Sequence, residues 1–227
     1  MNNVFQKTYP QKRKKLLSCL KSIKKSSAGA AGSGELKLKI IAFVGMPASG
    51  KSEASKVAKD AGIPVVTMGD VIRREVALRG ANPEDGGKIA DELRKKEGMD
   101  AIAKRCMDMI HEKMNETSSE VFVIDGVRGI AEVDYFKEHL GDGFMLVSIA
   151  IDSPIEERFG RIVSRKRDDD MDNIDQLKER DAREIGWGMG EAIAASDRII
   201  DNTSTLDAYH AKIRELFNEM IAGEKGN

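Results

Sequence analysis

The sequence predicts an α/β domain in which a five-stranded parallel sheet is covered on both sides by helices. Short apolar runs rich in β-branched residues alternate with longer amphipathic runs, and this alternation is typical of a parallel sheet with helical crossovers. The 227 residues, 41% of them hydrophobic, suffice for one such domain. A glycine-rich turn joins the first predicted strand to the first predicted helix, which is an arrangement typical of a ligand-binding turn.

The first 34 residues differ in composition from the rest of the chain. They carry eight Lys and Arg and no Asp or Glu, and they end in a run of Ser, Ala and Gly that is typical of a flexible linker. Because the whole chain has a net charge of −1, residues 35–227 carry −9. We therefore predict a basic, flexible extension over residues 1–34 and an acidic domain over residues 35–227. The acidic domain is a poor surface for nucleic acid, whereas the basic extension could contact it.

Other functional classes are disfavoured by composition. No apolar stretch reaches 18 residues, so we expect no membrane-spanning segment. Cys19 and Cys106 are too few and too far apart for a disulfide framework or a cysteine-based zinc site. These features favour a protein of the reducing cytoplasm.

The first predicted strand, residues 38–44, leads directly into a turn and then into a helix over residues 53–59. Glycines at both ends of the turn allow the backbone N–H groups to point inward, and the helix adds its positive N-terminal end, so the turn suits a polyphosphate. Lys51 could then reach the β- and γ-phosphates of ATP, while the Ser52 hydroxyl could bind the bridging Mg²⁺. The residues of this turn that are predicted to bind the nucleotide are Gly45, Met46, Pro47, Ala48, Ser49, Gly50, Lys51 and Ser52.

The remaining elements follow from hydrophobic periodicity and from Gly and Pro punctuation. Further strands are predicted over 63–67, 121–125, 144–151 and 198–201. Helices are predicted over 69–77, 88–96, 99–114, 130–139, 154–167, 173–185 and 206–222. Residues 186–190, which contain three glycines, are predicted to be flexible. Ile102, Ala103, Cys106, Met109 and Ile110 should face the core from one helix.

The last helix is strongly amphipathic. Its predicted core face comprises Leu206, Tyr209, Ile213, Leu216, Phe217 and Met220. Asp70, Asp125 and Arg128 follow the predicted second and third strands. Because the carboxyl ends of parallel strands meet at one edge of a sheet, we expect these residues and the phosphate-binding turn to share one mouth.

Several segments of the chain resemble motifs of known protein families. Residues 36–222 are similar to the adenylate kinase and dephospho-CoA kinase group of P-loop phosphotransferases, and most closely to an archaeal family of adenylate-kinase-related proteins. Segment 68–73 resembles the Thr-Gly-Asp-x-x-Arg segment of adenylate kinases, which implies that Gly69 and Arg73 hold the phosphate acceptor. In dephospho-CoA kinases, the position of Asp70 carries the catalytic aspartate.

Two further segments carry the resemblance. Segment 125–128 is similar to the Asp-Gly-Phe-Pro-Arg segment of adenylate kinases but one residue shorter, which implies a Mg²⁺-water contact by Asp125 and an acceptor-phosphate contact by Arg128. Segment 161–165 is similar to the segment that leads into the lid in these families. This similarity implies that Arg161 lies against the base of the donor nucleotide and that Arg165 touches the donor's phosphates. Arg180 and Arg183 resemble arginines that return from the lid.

The chain also departs from these families. Ala48 stands where both groups usually have glycine, and the lid is short. Ser52 directly after Lys51, and the tail segment 195–202, are closest to dephospho-CoA kinases. The resemblance therefore implies the fold more firmly than it implies the acceptor.

The resemblance implies an ATP- and Mg²⁺-dependent phosphotransferase, a monomer or homodimer, with acceptor-binding helices over about residues 69–115 and a lid over about 165–185. The acceptor would be a small phosphate-bearing molecule, such as a nucleoside monophosphate or a dephospho-CoA-like compound. The alternative is a nucleotide-hydrolysing switch that signals to a protein or RNA through its basic extension. Arg74, Arg105, Arg158 and Arg167 are expected to be surface ion-pair residues on helices.

Overall fold

The computed structural model describes residues 38–141, 143–165 and 173–222, except for the side chain of Arg165. The predicted extension over residues 1–34 lies outside this part, as do residues 166–172 at the start of the predicted lid. Five parallel strands form one sheet in the order β2-β3-β1-β4-β5. They are β1 (Leu38–Val44), β2 (Val65–Thr67), β3 (Val121–Asp125), β4 (Phe144–Asp152) and β5 (Arg198–Asp201). The prediction of a five-stranded parallel sheet flanked by helices is confirmed.

Helices cover both faces of the sheet. In chain order they are α1 (Lys51–Asp60), α2 (Met68–Arg79), α3 (Gly86–Glu97), α4 (Ala101–Asn115), α5 (Ile130–His139), α6 (Ile155–Arg165), α7 (Ile174–Gly186), α8 (Met189–Ala194) and α9 (Leu206–Ala222). A 3₁₀ turn, Pro83–Asp85, precedes α3. Within the described ranges, no helix is long and apolar enough to cross a membrane.

The alternation of side chains along β1 divides the core into two layers. Ile40, Ala42 and Val44 face a layer built mainly from α4, α5 and α8, whereas Ile41 and Phe43 face α1 and α9. Both sets are fully buried because β1 lies at the centre of the sheet, between β3 and β4. The predicted core face of α4 is confirmed, with Met109 only partly buried. The core face of α9 is confirmed except at Leu206, which is exposed because it begins the helix.

One prediction between the strands is wrong. Residues 186–190 are not a flexible stretch, because α7 ends at Gly186 and α8 begins at Met189. Gly188 adopts a left-handed conformation at φ 91° between the two helices, and Met189 is completely buried. Of the three glycines that suggested flexibility in the sequence, Gly188 makes a tight turn between two packed helices, and Gly186 and Gly190 belong to the helices themselves.

The register of the sheet places the strand ends together. Thr67 at the end of β2 pairs with Asp125 at the end of β3, and Asp152 at the end of β4 pairs with Asp201 at the end of β5. The loop after β1 opens at the same edge, between these two pairs. All five strands therefore deliver the residues that follow them to one mouth.

Candidate active site

The loop between β1 and α1 requires glycine at both of its ends. Gly45 has φ 141°, and a Cβ there would lie 2.5 Å from the carbonyl oxygen of Ile151. Gly50 has φ 116°, and a Cβ there would collide with the side-chain amide of Asn202. Because both positions combine a positive φ with a close neighbour, the backbone can fold tightly around a ligand only with glycine present.

Ala48 is the one non-glycine residue with a positive φ, 59°, in the part of the chain that the structure describes. This observation explains why related loops usually carry glycine there, since an L-residue in this region costs roughly 1–2 kcal/mol.

We expect Ala48→Gly to raise the free energy of unfolding by about 1 kcal/mol, after the extra chain entropy of glycine is subtracted. Urea denaturation tests this expectation. The control is Ala77→Gly on the exposed face of α2, which should instead destabilise by about 0.5–1 kcal/mol; a loss of stability in Ala48→Gly would contradict the strain argument.

Lys51 is folded back onto the loop that precedes it. Its ammonium donates hydrogen bonds to the carbonyl oxygens of Gly45 and, at 2.9 Å, Met46. The residue is only 8% exposed, and its pKa is lowered to about 8. Burial is the main cause, the positive charge of Arg128 acts in the same direction, and the negative charges of Glu184 and Asp125 oppose the shift. The lysine is thus held as a poorly solvated cation beside an anion-binding backbone.

The loop is braced from the side of β5 and α9. Asn202 donates its side-chain amide to the Ser49 carbonyl at 2.8 Å, and the buried Tyr209 hydroxyl donates to the Gly50 carbonyl at 3.1 Å. On the opposite layer, the Gly45 N–H points at the sulfur of Met189, 3.4 Å away. These contacts hold the backbone of the loop in its curved shape before any ligand binds.

Arg158 ties the base of the predicted lid to the loop. It forms a buried ion pair with Asp181 of α7, using two hydrogen bonds of 2.9 and 2.6 Å, and it donates to the Pro47 carbonyl at 3.1 Å. The expectation that Arg158 is a surface residue is therefore wrong. In contrast, Arg74 and Arg105 form the expected ion pairs on α2 and α4, and Arg167 lies outside the described residues.

Arg161, the residue implied to lie against the donor base, reaches the same loop from one helical turn further along α6. Its guanidinium donates to the carbonyls of Ala48 at 3.4 Å and Ser49 at 3.2 Å and also to the Asn202 carbonyl. Arg161 therefore stands next to the nucleotide-binding loop. The side chain of Arg165 is outside the described part, so its predicted phosphate contact stays a prediction.

A cluster of charges lies beside Lys51. Arg128 from the β3–α5 loop forms an ion pair with Glu184 of α7, and Arg180, one turn earlier on α7, lies 3.5 Å from the same carboxylate oxygen. The charges of Arg128, Arg180, Glu184 and Asp125 act on the pKa of Lys51. Asp125 and Arg128 lie at and just after the end of β3, the strand next to β1, at the mouth where the loop opens. Of the predicted site residues, Lys51, Asp125 and Arg128 are thus brought together. Glu184 and Asp181 were not predicted.

The predicted acceptor residues lie at the start of α2, next to the end of β3. Arg73 donates to the carboxylate of Asp70, and the two side chains are 69% and 44% exposed. The Arg73 guanidinium passes over Gly69, where an added Cβ would lie 3.4 Å away from it. Asp70 and Arg73 therefore engage each other at the rim of the mouth.

The predicted metal ligands are Ser52 and Asp125. Ser52 is exposed in the first turn of α1, and Asp125 ends β3 with 9% of its surface exposed. The described residues contain no group of three or more His, Cys, Asp or Glu that could hold a metal ion. A hydroxyl and one carboxylate do match the way Mg²⁺ is usually bound together with substrate phosphates and water.

Comparison with known proteins agrees with this architecture. The model of a family described as AAA domain matches residues 44–178, a span that begins at the last residue of β1 and includes the loop. The UPF0200 protein of Methanosarcina acetivorans is 53% identical over 186 residues, covering 81% of this chain and 96% of that protein. The UPF0200 protein of Methanosarcina mazei is 52% identical over 189 residues, covering 82% and 98%.

The chain belongs to the UPF0200 family of AAA-domain proteins. Among solved structures, the UPF0200 fold is similar to TT1252 from Thermus thermophilus, with a TM-score of 0.57, 16% identity and coverage of 81% of this chain and 98% of that one. It is also similar to dephospho-CoA kinase from Campylobacter jejuni, with a TM-score of 0.52, 18% identity and coverage of 82% and 98%. These likenesses show a P-loop kinase-like fold.

Proposed function

We propose that this UPF0200 protein is an ATP- and Mg²⁺-dependent phosphotransferase that acts on a small nucleotide-like acceptor, either a nucleoside monophosphate or a dephospho-CoA-like molecule. The observation that supports this proposal most is the convergence of two arginines from different elements, Arg128 and Arg180, on the buried carboxylate of Glu184, whose charge also acts on the loop lysine. A binding loop for ATP alone has no need of them, whereas transfer between two phosphate-bearing substrates does.

The ATP site would use groups that the fold already holds in place. Backbone N–H groups of the loop and the N-terminal end of α1 would surround the β-phosphate, and Lys51 would exchange its loop carbonyls for phosphate oxygens. Arg161 lies where it can contact the donor nucleotide beside the loop. When bound, Mg²⁺ neutralises phosphate charge, and Ser52 and Asp125 are the residues that would hold it.

The acceptor site would occupy the mouth between α2 and the end of β3. Arg73 would bind the acceptor's phosphate from the rim, and Gly69 leaves room for the guanidinium above it. Arg128 would contact the same acceptor from the β3–α5 loop, whereas Arg165 would touch the phosphates of the donor. One of the structural neighbours is a dephospho-CoA kinase, which agrees with an acceptor of this kind.

The reaction would be an in-line transfer. An acceptor oxygen forms a bond to the γ-phosphorus of ATP, the bond from that phosphorus to the β–γ bridging oxygen breaks, and ADP leaves. Lys51, Arg128 and Arg180 would stabilise the negative charge on the oxygens of the transferred group. If the acceptor oxygen belongs to a hydroxyl, its proton must pass to a base, for which Asp70 is the candidate; a phosphate oxygen needs none.

The lowered pKa of Lys51 predicts a proton linked to ATP binding. At pH 8.5 a group with a pKa of about 8 is roughly three-quarters neutral, and polyphosphate would restore its charge. Binding of ATP at pH 8.5 should therefore take up roughly 0.7 proton, whereas binding at pH 6.5 to 7 should take up almost none through this group. Calorimetry in two buffers of different ionisation enthalpy measures the uptake, and equal uptake by a Lys51→Met variant would contradict this assignment.

Acceptor-dependent release of ADP tests the proposed function. Purified protein is incubated with ATP and Mg²⁺, alone and with each of a panel of nucleoside monophosphates and dephospho-CoA. We expect at least one acceptor to raise the rate of ADP formation by about tenfold or more. ADP formation that no acceptor changes, but that a protein or RNA partner stimulates, would instead identify the hydrolysing switch.

A further inference from the structure

Glu184 is a buried carboxylate whose two oxygens are used very differently. It sits in the last turn of α7 with 1% of its surface exposed. Its Oε1 accepts from the Arg128 guanidinium and lies 3.5 Å from Nε of Arg180. No hydrogen-bond donor in the described part of the chain reaches its Oε2. One oxygen therefore holds two arginines while the other is buried without a partner.

This arrangement resembles a substrate contact more than an optimised structural ion pair. A carboxylate that stabilises a fold usually satisfies both oxygens, as Asp181 does with two hydrogen bonds from Arg158 a single turn away. Leaving a buried acceptor without a donor is costly, and such costs are concentrated at functional sites. The two arginines on Oε1 remain about 30% exposed, so a ligand in the mouth can reach them.

We infer that Glu184 is an internal competitor for phosphate: its carboxylate occupies the Arg128–Arg180 pair in the free protein, and a substrate phosphate must displace it to bind. A dianionic phosphate gains more from two guanidinium groups than the single charge of a carboxylate does, so it can win this exchange. A neutral hydroxyl or a monoanionic group cannot. Glu184 would thereby restrict the site to phosphate-bearing ligands. This inference specifies the substrate class of the proposed function and rests on that function.

The chain carries its own reporter of this exchange. Trp187, its single tryptophan, follows Glu184 by three residues at the turn into α8. Its ring lies under the guanidinium of Arg94 at 4.5 Å and near that of Arg183 at 5.7 Å. Release of Glu184 by a ligand should move this turn relative to those cations and change the tryptophan emission.

Equilibrium binding of inorganic pyrophosphate to the full chain tests the inference without any turnover. Glu184→Gln keeps the size of the side chain but removes its charge, and we expect it to bind pyrophosphate about tenfold more tightly than the wild type, with a correspondingly earlier change in Trp187 emission. Glu184→Asp keeps the charge but shortens the reach, and a gain of several-fold is expected from it. Glu191→Gln on the exposed face of α8 is the matched control for loss of a nearby charge and should change affinity less than twofold.

If Glu184 had only a structural role, replacing it would not raise the affinity for pyrophosphate. If the carboxylate only holds the arginines in place, both variants bind pyrophosphate equally or more weakly, and the inference is overturned. Should Glu184→Gln fail to fold, Glu184→Asp decides by the same criterion. In a protein that already carries Arg128→Gln, the gain in pyrophosphate affinity from Glu184→Gln should largely disappear. The guanidinium for which the carboxylate and the phosphate mainly compete is then missing. Tighter pyrophosphate binding without acceptor-dependent ADP formation would leave the inference standing while the proposed function fails.

Discussion

Replacing Lys51 with alanine is expected to abolish phosphotransfer and leave the fold intact. Lys51 is the cation within the loop that can follow the β- and γ-phosphates, so its loss should reduce kcat by a thousandfold or so, the scale seen when a main transition-state contact is removed. The fold should tolerate the change because the ammonium is buried and its pKa is held at about 8, which means that folding disfavours its charged form at neutral pH.

Two measurements separate activity from stability in this variant. Steady-state ADP formation should fall below detection, while the melting temperature at pH 7 should equal or exceed that of the wild type. Between pH 8 and 10.5 the folded wild type binds fewer protons than its unfolded chain, so the free energy of unfolding of the wild type rises with pH in that range. Any excess stability of Lys51→Ala over the wild type should therefore shrink as the pH rises from 8 to 10.5. Lys56→Ala, exposed on the same helix, is the control and should change neither quantity. Retention of more than about a tenth of wild-type transfer by Lys51→Ala would remove this residue from the site.

The second large effect concerns the acceptor. If the acceptor presents a phosphate, Arg73→Ala should raise its KM by roughly 10- to 150-fold, because a charge-assisted contact is worth roughly 1.5–3 kcal/mol. If the acceptor presents a hydroxyl, Asp70→Asn should instead lower kcat by roughly a hundredfold or more with little change in KM. The structure makes both variants informative, because the Asp70–Arg73 pair is exposed and contributes about 1 kcal/mol of stability at most.

Steady-state kinetics of these two variants, with Arg74→Ala as the neighbouring control, compare the alternatives. Arg74 forms only a 3.6 Å surface pair with Glu112, so its replacement should leave both constants unchanged. Arg128→Ala should raise the acceptor KM as well, but it also leaves the buried Glu184 with Arg180 as its remaining cation, which will lower stability. We expect the phosphate pattern, and a collapse of kcat confined to Asp70→Asn would show that a hydroxyl is phosphorylated.

The sheet and the loop could be predicted because their signals are local. Strand β1 is buried on both faces, so its apolar residues form a continuous run and do not alternate with polar ones. Gly45 and Gly50 could be predicted because each position has a positive φ that favours glycine. The same is true of the amphipathic face of α9. The short helix α8 was missed because its glycines are equally compatible with a flexible loop.

The charge pairs of the site could not be predicted, because they join residues far apart in a chain that is 33% charged. Arg128 and Glu184 are 56 residues apart, and Arg158 and Asp181 are 23 apart. A weaker signal was present in α7, whose buried positions are Leu177, Asp181 and Glu184. Two carboxylates at the core spacing of an amphipathic helix indicate buried partners, although their identity requires the structure.

Transfer in water enriched in oxygen-18 tests the central claim most directly. The protein is given ATP, Mg²⁺ and the acceptor panel in this water, and mass spectrometry follows the γ-phosphoryl group. Phosphotransfer predicts a phosphorylated acceptor in an amount equal to the ADP formed, with no oxygen-18 in the transferred group, because the attacking oxygen comes from the acceptor. Inorganic phosphate carrying one oxygen-18, equal in amount to the ADP and with every acceptor unchanged, would contradict the account and show that the site hydrolyses ATP.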